Sequence, residues 1–435
     1  MKIAFIAMSG LRAYNPELTR LGLTLPGFVE RNRAIASLPS LSLLTLAAMT
    51  PDHFEVEYQE IADIRAVDTL PACDLAAIAT FTAQVKDAYE LADRYRSLGA
   101  KTVMGGLHVT ALPEEASLHC DAVVVGEGEL SWPALLRDFE NGHLRRVYDP
   151  GGRQFDLREA PIPRFELLDP TKYNRLTIQT QRGCPWSCEF CASSIRLSPS
   201  YKLKPVHKVV EEIRRIKEIW PRPFIEFADD NTFVNKRHSK ELMRAIVPGR
   251  VRWFTETDIS VAEDADLLRL MRDAGCAQVL IGLESPTGAG LDGVELRRNW
   301  KSKQLDSYEA AIERIQSAGI TVNGCFVLGL DGDSVDVFDE VWNFVRRTGL
   351  YEVQITVLTA FPGTPLYTRL RSEGRLIEES AWEKCTSFDV NVRPKQMSRE
   401  ELGKRLYSAE SKKERADRFR SGLRRRLSAG RGDRS

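Results

Sequence analysis

The chain has 435 residues, with 61 Lys plus Arg balancing 61 Asp plus Glu and 43% apolar residues. That length exceeds one ordinary domain, so two domains and an appendage are expected, and the even charge gives no overall pull towards nucleic acid or a membrane. The opening run Met1 to Gly10 is too short for a signal peptide. Leu38 to Met49, interrupted by Ser and Thr, falls short of the roughly 20 residues that span a bilayer, so a cytoplasmic protein with no membrane partner is expected. Eight cysteines scattered over such a chain do not form a secreted disulfide framework. In a reducing compartment, any that cluster are candidates for metal binding or catalysis.

Short apolar runs at Lys2 to Ala7, Phe54 to Gln59, Leu75 to Ala79, Thr102 to Met104 and Ala122 to Val125 alternate with helical patterns such as Ala83 to Leu98. This rhythm predicts a doubly wound parallel sheet of five strands. Its ligand crevice should lie at the strand carboxyl ends: Ser9-Gly10, Thr80-Phe81-Thr82, Gly105-Gly106 and Gly126-Glu127-Gly128-Glu129. No GxGxxG fingerprint follows the first strand, which weakens a dinucleotide reading.

Residues 149–173 are rich in Pro, Gly and Arg and read as a linker. Strand patterns then recur at Leu176 to Gln179, Phe224 to Phe227, Val251 to Phe254, Val279 to Ile281, Val322 to Leu328 and Val353 to Leu358. Helical stretches separate them, as at Val206 to Ile219 and Tyr308 to Ala318. Six β/α repeats make a partial barrel of the TIM type. The expected class is α/β, with boundaries at 1–148, 149–173, 174–368 and 369–435, the last a helical C-terminal extension. Its tail is basic from Lys412, including Arg424-Arg425-Arg426, and reads as a solvated helix for which nucleic acid is not the expected partner.

The segment Gln181-Arg182-Gly183-Cys184-Pro185-Trp186-Ser187-Cys188-Glu189-Phe190-Cys191 follows the first barrel strand. Three thiolates on one short loop can hold three irons of a cubane and leave the fourth to an outside chelator. A structural zinc would want a fourth Cys or His nearby, and the loop has none. Cys73, Cys120, Cys276 and Cys325 read as small core residues, and Cys385 as a residue in a polar segment after the barrel.

A strand, then CxxxCxxC with an aromatic before the last cysteine, then six β/α repeats resembles the radical S-adenosylmethionine superfamily. The resemblance implies a [4Fe-4S] cluster on Cys184, Cys188 and Cys191 whose open iron is chelated by S-adenosylmethionine. One-electron reduction, from a donor such as flavodoxin or ferredoxin, then yields a 5'-deoxyadenosyl radical. By the same resemblance Asp229 and Asp230 receive the methionine amino group, with Asn231 as another candidate or a helix N-cap. Glu256, Thr257, Glu284 and Ser285 sit where ribose and carboxylate contacts fall, and Gly324 lies on the adenine-supporting strand. Phe361 to Pro365 would shape the substrate side.

Joined to this barrel, Gly105 to Glu115 and Val125 to Glu129 resemble the cobalamin-binding domain of the cobalamin-dependent members of that family. Thr80, Thr82, Gly105, Gly106, Gly126, Glu127 and Gly128 are the implied corrin contacts, though Glu127 and Glu129 could instead be N-caps. The DxHxxG motif that supplies a cobalt-ligating histidine is absent, and His108 reads as filling a turn. The implied enzyme methylates an unactivated carbon of a small-molecule or peptide substrate through methylcobalamin. Two alternatives stay open: a radical cyclisation or rearrangement, and a cluster-bearing RNA-binding or sensor protein. No catalytic residue is singled out.

Overall fold

The computed structural model describes residues 1–9, 38–192 and 200–407. Gly10 and the basic tail from Lys412 lie outside the described residues. Two six-stranded, wholly parallel sheets dominate. The first runs in the order β2-β1-β3-β4-β5-β6, with β1 Lys2–Met8, β2 Glu55–Ile61, β3 Leu75–Ala79, β4 Lys101–Gly105, β5 Ala122–Val124 and β6 Val147–Tyr148. The sixth strand corrects the expectation of five. It is two residues long at the sheet edge, too short to show any period.

Strand β1 is apolar at nearly every position because helices cover both faces. Ala4, Ile6 and Met8 pack with Val85, Ala88 and Leu91 of α2 (Val85–Ser97). Ile3, Phe5 and Ala7 face the opposite layer, with Leu43 of α1 (Leu41–Ala48) and Trp132 of α3 (Gly128–Glu140). The order reverses direction between β1 and β3, and in open sheets that switch point is where a ligand crevice opens beyond the strand carboxyl ends.

The second sheet orders its strands consecutively: β7 Leu176–Ile178, β10 Phe224–Phe227, β11 Arg252–Thr257, β12 Cys276–Glu284, β13 Thr321–Leu328 and β14 Glu352–Val357. Helices α4 (Val206–Ile219), α5 (Lys236–Ile246), α6 (Ala265–Asp273), α7 (Tyr308–Ser317) and α8 (Val337–Thr348) provide the crossovers. Between β7 and β10 a two-stranded antiparallel ribbon, β8 Gln181–Arg182 with β9 Lys202–Leu203, stands at the barrel mouth. Alternation sorts side chains by face. On β13, Val322, Phe326 and Leu328 enter the core shared with the helices, so Asn323, Cys325 and Val327 turn towards the barrel interior.

Beyond β14, α9 (Pro365–Ser372) and a coil carrying Trp382 and Cys385 fold back across the first sheet, where both side chains join its core. Helix α10 (Arg399–Tyr407) starts with a reciprocal cap. Ser398 N donates to Glu401 Oε2 at 2.8 Å, and Glu401 N donates to Ser398 Oγ at 3.1 Å.

Candidate active site at the facing strand ends

The cysteine loop is held from several sides. Gly183 N donates to Asp230 Oδ2 at 2.8 Å as the chain turns into Cys184. Trp186 stacks on Trp300, with ring centroids 4.3 Å apart, and donates Nε1–H to Asp258 Oδ2 at 3.0 Å. Cys188 bridges Glu295 in antiparallel fashion. Arg369 of α9 grips Glu189 with a two-pronged fork at 2.5 and 2.8 Å, the geometry a guanidinium makes best with a carboxylate.

All three thiols are free of disulfides. Burial pushes the Cys184 thiol up to about 11 and the Cys188 thiol up to about 12, and the neighbouring thiols push the same way. Such groups become thiolates when a metal displaces the proton. Among the described residues no three His, Cys, Asp or Glu converge as on a single ion. A cubane asks for a different arrangement, since each cysteine binds its own iron. Three free thiols on one anchored loop are a donor set that fits such a cluster.

At the barrel mouth the acids divide sharply. Asp229 is enclosed and accepts from Thr180 N, Thr180 Oγ1, Gln181 N and Thr232 Oγ1, so it ties β7 to β10. Burial still pushes its carboxyl up to about 6. Its oxygens are engaged by four scaffold donors. Asp230, half-buried, remains at the mouth beside Gly183. Asn231 caps no helix; its Nδ2 donates to Asp258 Oδ2 at 2.8 Å and lies 3.9 Å from Cys184 Sγ. Against the opposing pull of burial, hydrogen bonds from Ser260, Asn231 and Trp186 hold the Asp258 carboxyl below the usual range.

Glu256 is exposed at the barrel mouth, with a partial enclosure of protein around it. That enclosure, with Glu226 and Asp230 adding repulsion, raises its carboxyl to about 7. Thr257 Oγ1 donates to Asn231 Oδ1 at 3.3 Å. Glu284 follows a bulge in β12, with φ of 63° in the left-handed region, and pairs with the buried Lys301 Nζ at 2.5 Å. Ser285 is enclosed beside Thr287 and Asp333.

Gly324 is closely packed on its Cβ side. A Cβ there would come 2.8 Å from Leu350 Cδ1 and 3.0 Å from Leu283 Cδ1, so its smallness serves the helix-side packing. Its neighbour Cys325 is the residue that faces the interior, near Glu284, Glu256 and Lys301.

At the first sheet, Thr80 Oγ1 is turned to Phe81 O, while the Phe81 ring stands 52% exposed at the β3 end and Thr82 is buried. Gly106 has φ of 110°, and a Cβ on it would sit 3.3 Å from Thr80 O. With Gly105, Gly126 and Gly128 it gives an edge of backbone and one aromatic face. That surface fits a broad ring system resting on main chain. His108 lies on the short helix Leu107–Ala111, fully buried between Glu115 and Trp382.

Glu127 and Glu129 contact the second sheet's ribbon. Arg182 Nη1 donates to Glu127 Oε1 and Nη2 to Glu129 Oε1, each at 2.7 Å, and Lys202 and Phe155 N also donate to Glu127. Although burial opposes it, the donors Lys202, Phe155 N and Arg182 hold the Glu127 carboxyl below its ordinary range. Glu127 occupies an N-cap position without a cap bond. The two acids thus brace the domains against each other, and Glu127 does so from the N-cap position of α3. Arg182, Asp258, Lys301 and Arg369 escaped the sequence reading because each acts on a partner 17 or more residues away. Only the adjacency of Arg182 to the cysteine loop was a visible signal.

A doubly wound sheet whose ligand edge is braced against a three-cysteine barrel mouth defines a two-cofactor radical enzyme architecture. Comparison with known proteins agrees. The Radical SAM superfamily model matches residues 178–345 and the B12 binding domain model residues 36–136. The chain is 29% identical over 376 residues to bacteriochlorophyllide d C-12(1)-methyltransferase of Chlorobaculum tepidum, covering 84% of this chain and 80% of that one. It is 27% identical over 365 residues to hopanoid C-2 methylase of Rhodopseudomonas palustris, covering 81% and 68%. The fold is shared with the radical S-adenosylmethionine methyltransferase TsrM from Kitasatospora setae, with a TM-score of 0.65 at 18% identity over 86% of this chain and 76% of that one. The chain belongs to the cobalamin-binding radical S-adenosylmethionine enzymes.

Proposed function

We propose that this protein is a cobalamin-dependent radical methyltransferase acting on an unactivated carbon. The observation that carries the reading is the brace of Arg182 on Glu127 and Glu129, which sets the cysteine loop against the ligand edge of the first sheet. When bound, the cluster with S-adenosylmethionine supplies a hydrogen-abstracting radical and cobalamin a methyl carrier. The chain's own part is placement. Cys184, Cys188 and Cys191 would hold iron, and Asp230 and Glu256 offer carboxylates at the mouth. Gly105, Gly106, Gly126 and Gly128, with Thr80, Thr82 and Phe81, would bed the corrin. A substrate held between two braced domains reacts without a diffusional search.

We further propose units spanning 1–148, 174–368 and 369–435, joined by 149–173, in keeping with the spans of the two sheets. A cytoplasmic setting with an external reductant is supported by eight free thiols. Among the described residues no helix is long and apolar enough to cross a membrane.

Cyclases are also among the relatives: the chain is 25% identical over 334 residues to an anaerobic magnesium-protoporphyrin IX monomethyl ester cyclase of Cereibacter sphaeroides, covering 53% of it. Product mass separates the readings. Anaerobic reconstitution with iron, sulfide and cobalamin should give 5'-deoxyadenosine and methylcobalamin from S-adenosylmethionine, with loss of both in Cys184→Ala. Formation of 5'-deoxyadenosine with no methylation of cobalamin would overturn the methyltransferase reading.

A further inference from the structure

The loop Val294 to Asn299 is sewn to the cysteine loop. Glu189 N donates to Val294 O at 2.9 Å, and Leu296 N donates to Ser187 O at 3.0 Å. Between them Glu295, only 2% exposed, turns its carboxylate inward and accepts from Ser187 N, Arg297 N and Arg298 N. With the acid of this loop consumed by backbone, the next three side chains point out. Leu296 is 51% exposed, among the few large apolar side chains left in water, and Arg297 and Arg298 are exposed beside it.

Several surface arginines elsewhere hold carboxylates, as in Arg214 with Glu218, Arg269 with Asp266 and Arg347 with Glu309. Among the described residues no carboxylate pairs with Arg297, Arg298 or the exposed Lys303 of the short helix Trp300–Gln304. Asp292, on the same loop, is held by Asn299 Nδ2 at 2.7 Å. An apolar point with unpaired cations around it therefore lies one residue from Cys188. On a chain of zero net charge, this is a local positive surface with a specific address.

We infer that Leu296, Arg297, Arg298 and Lys303 form the docking surface for an acidic one-electron carrier protein, an inference that rests on the cluster reading of the three cysteines. The carrier loses one electron and the cluster gains it, with no bond made or broken. Electron transfer weakens steeply with distance, so a protein donor must sit over the cysteine loop, and this patch does. Redox encounters use small interfaces with charge-steered approach, which a single exposed leucine in a cationic rim provides.

The test measures reduction of the reconstituted full-length enzyme by reduced flavodoxin, an acidic flavoprotein, and separately by dithionite. Wild-type reduction by flavodoxin should slow steeply as salt rises. The double variant Arg297→Glu/Arg298→Glu should lower the flavodoxin rate on the order of 10- to 100-fold at low salt and leave the dithionite rate unchanged. Leu296→Ser should raise the flavodoxin concentration needed for half-maximal rate by about tenfold. Unchanged flavodoxin rates in these variants overturn the inference. So does equal slowing with dithionite, or binding of the wild-type patch to anionic vesicles or RNA in place of flavodoxin. Failure of the wild-type protein to take up iron would instead refute the cluster reading beneath it.

Discussion

Arg182, two residues before Cys184, reaches across the domain boundary to place Nη1 2.7 Å from Glu127 Oε1 at the ligand edge of the first sheet. The relationship makes one strand-end loop of each domain a single rigid piece. Both ends of the pair are largely withdrawn from water, with side-chain exposures of 18% and 3%. Losing one partner therefore costs more than the pair itself contributes, because the other charge stays buried.

Arg182→Met leaves Glu129 with no partner and should destabilise the protein by about 3 kcal/mol in urea unfolding at pH 8. Adding Glu129→Gln should recover part of that loss. Because Glu127 has a carboxyl held below its unfolded value of 4.5, the brace contributes fully above that value and fades as pH falls through the lower folded value. The gap between wild type and Arg182→Met should narrow in the same direction.

Arg369→Met removes the two-pronged hold on Glu189 in the middle of the cysteine loop. Supporting contacts of this kind change metal affinity by about 10- to 100-fold when removed. Iron release to a chelator from the reconstituted variant should be faster by that order, while Arg369→Lys, which keeps charge without the fork, should fall between.

Asn231→Leu removes the amide whose Nδ2 lies 3.9 Å from Cys184 Sγ. Hydrogen bonds to cluster sulfurs stabilise the reduced state, so the variant's midpoint potential should become more negative in an anaerobic redox titration followed by electron paramagnetic resonance. Iron content should stay at the wild-type value. Asp258→Asn should shift the potential the same way by less, since it loosens only the orientation of the amide.

Glu352 on β14 sits opposite Asn323 of β13, accepts from Gln278 Nε2 at 2.8 Å, and has its second oxygen buried without a partner. Burial raises its carboxyl to about 7. The folded protein thus holds a proton that the unfolded chain gives up near 4.5, and stability falls as pH rises between the two values. Glu352→Gln should remove that slope and raise stability at pH 8 by on the order of 2 kcal/mol, read by thermal unfolding across pH 5 to 8.

Local chemistry and periodicity determined much of this protein. Alternating apolar runs located β3, β10 and their neighbours within a few residues, helical spacing gave α4 and α7, and thiolate chemistry singled out Cys184, Cys188 and Cys191. Those features are local in the chain, since period, turn residues and ligand spacing lie within one short window. The short edge strand Val147–Tyr148 carries too few residues for a period and so became visible only through its pairing with β5. Tertiary structure alone decided what each carboxylate holds. Asp229 and Asp230 are adjacent in sequence, yet one is consumed by the ends of β7 and the other stays at the mouth. Glu127 proved to be a brace because Arg182, 55 residues away, arrives beside it. Gly324 proved to serve packing because strand alternation turns it towards Leu350. A side chain's role depends on what folding brings within hydrogen-bond reach, and that is set by the packing of distant segments.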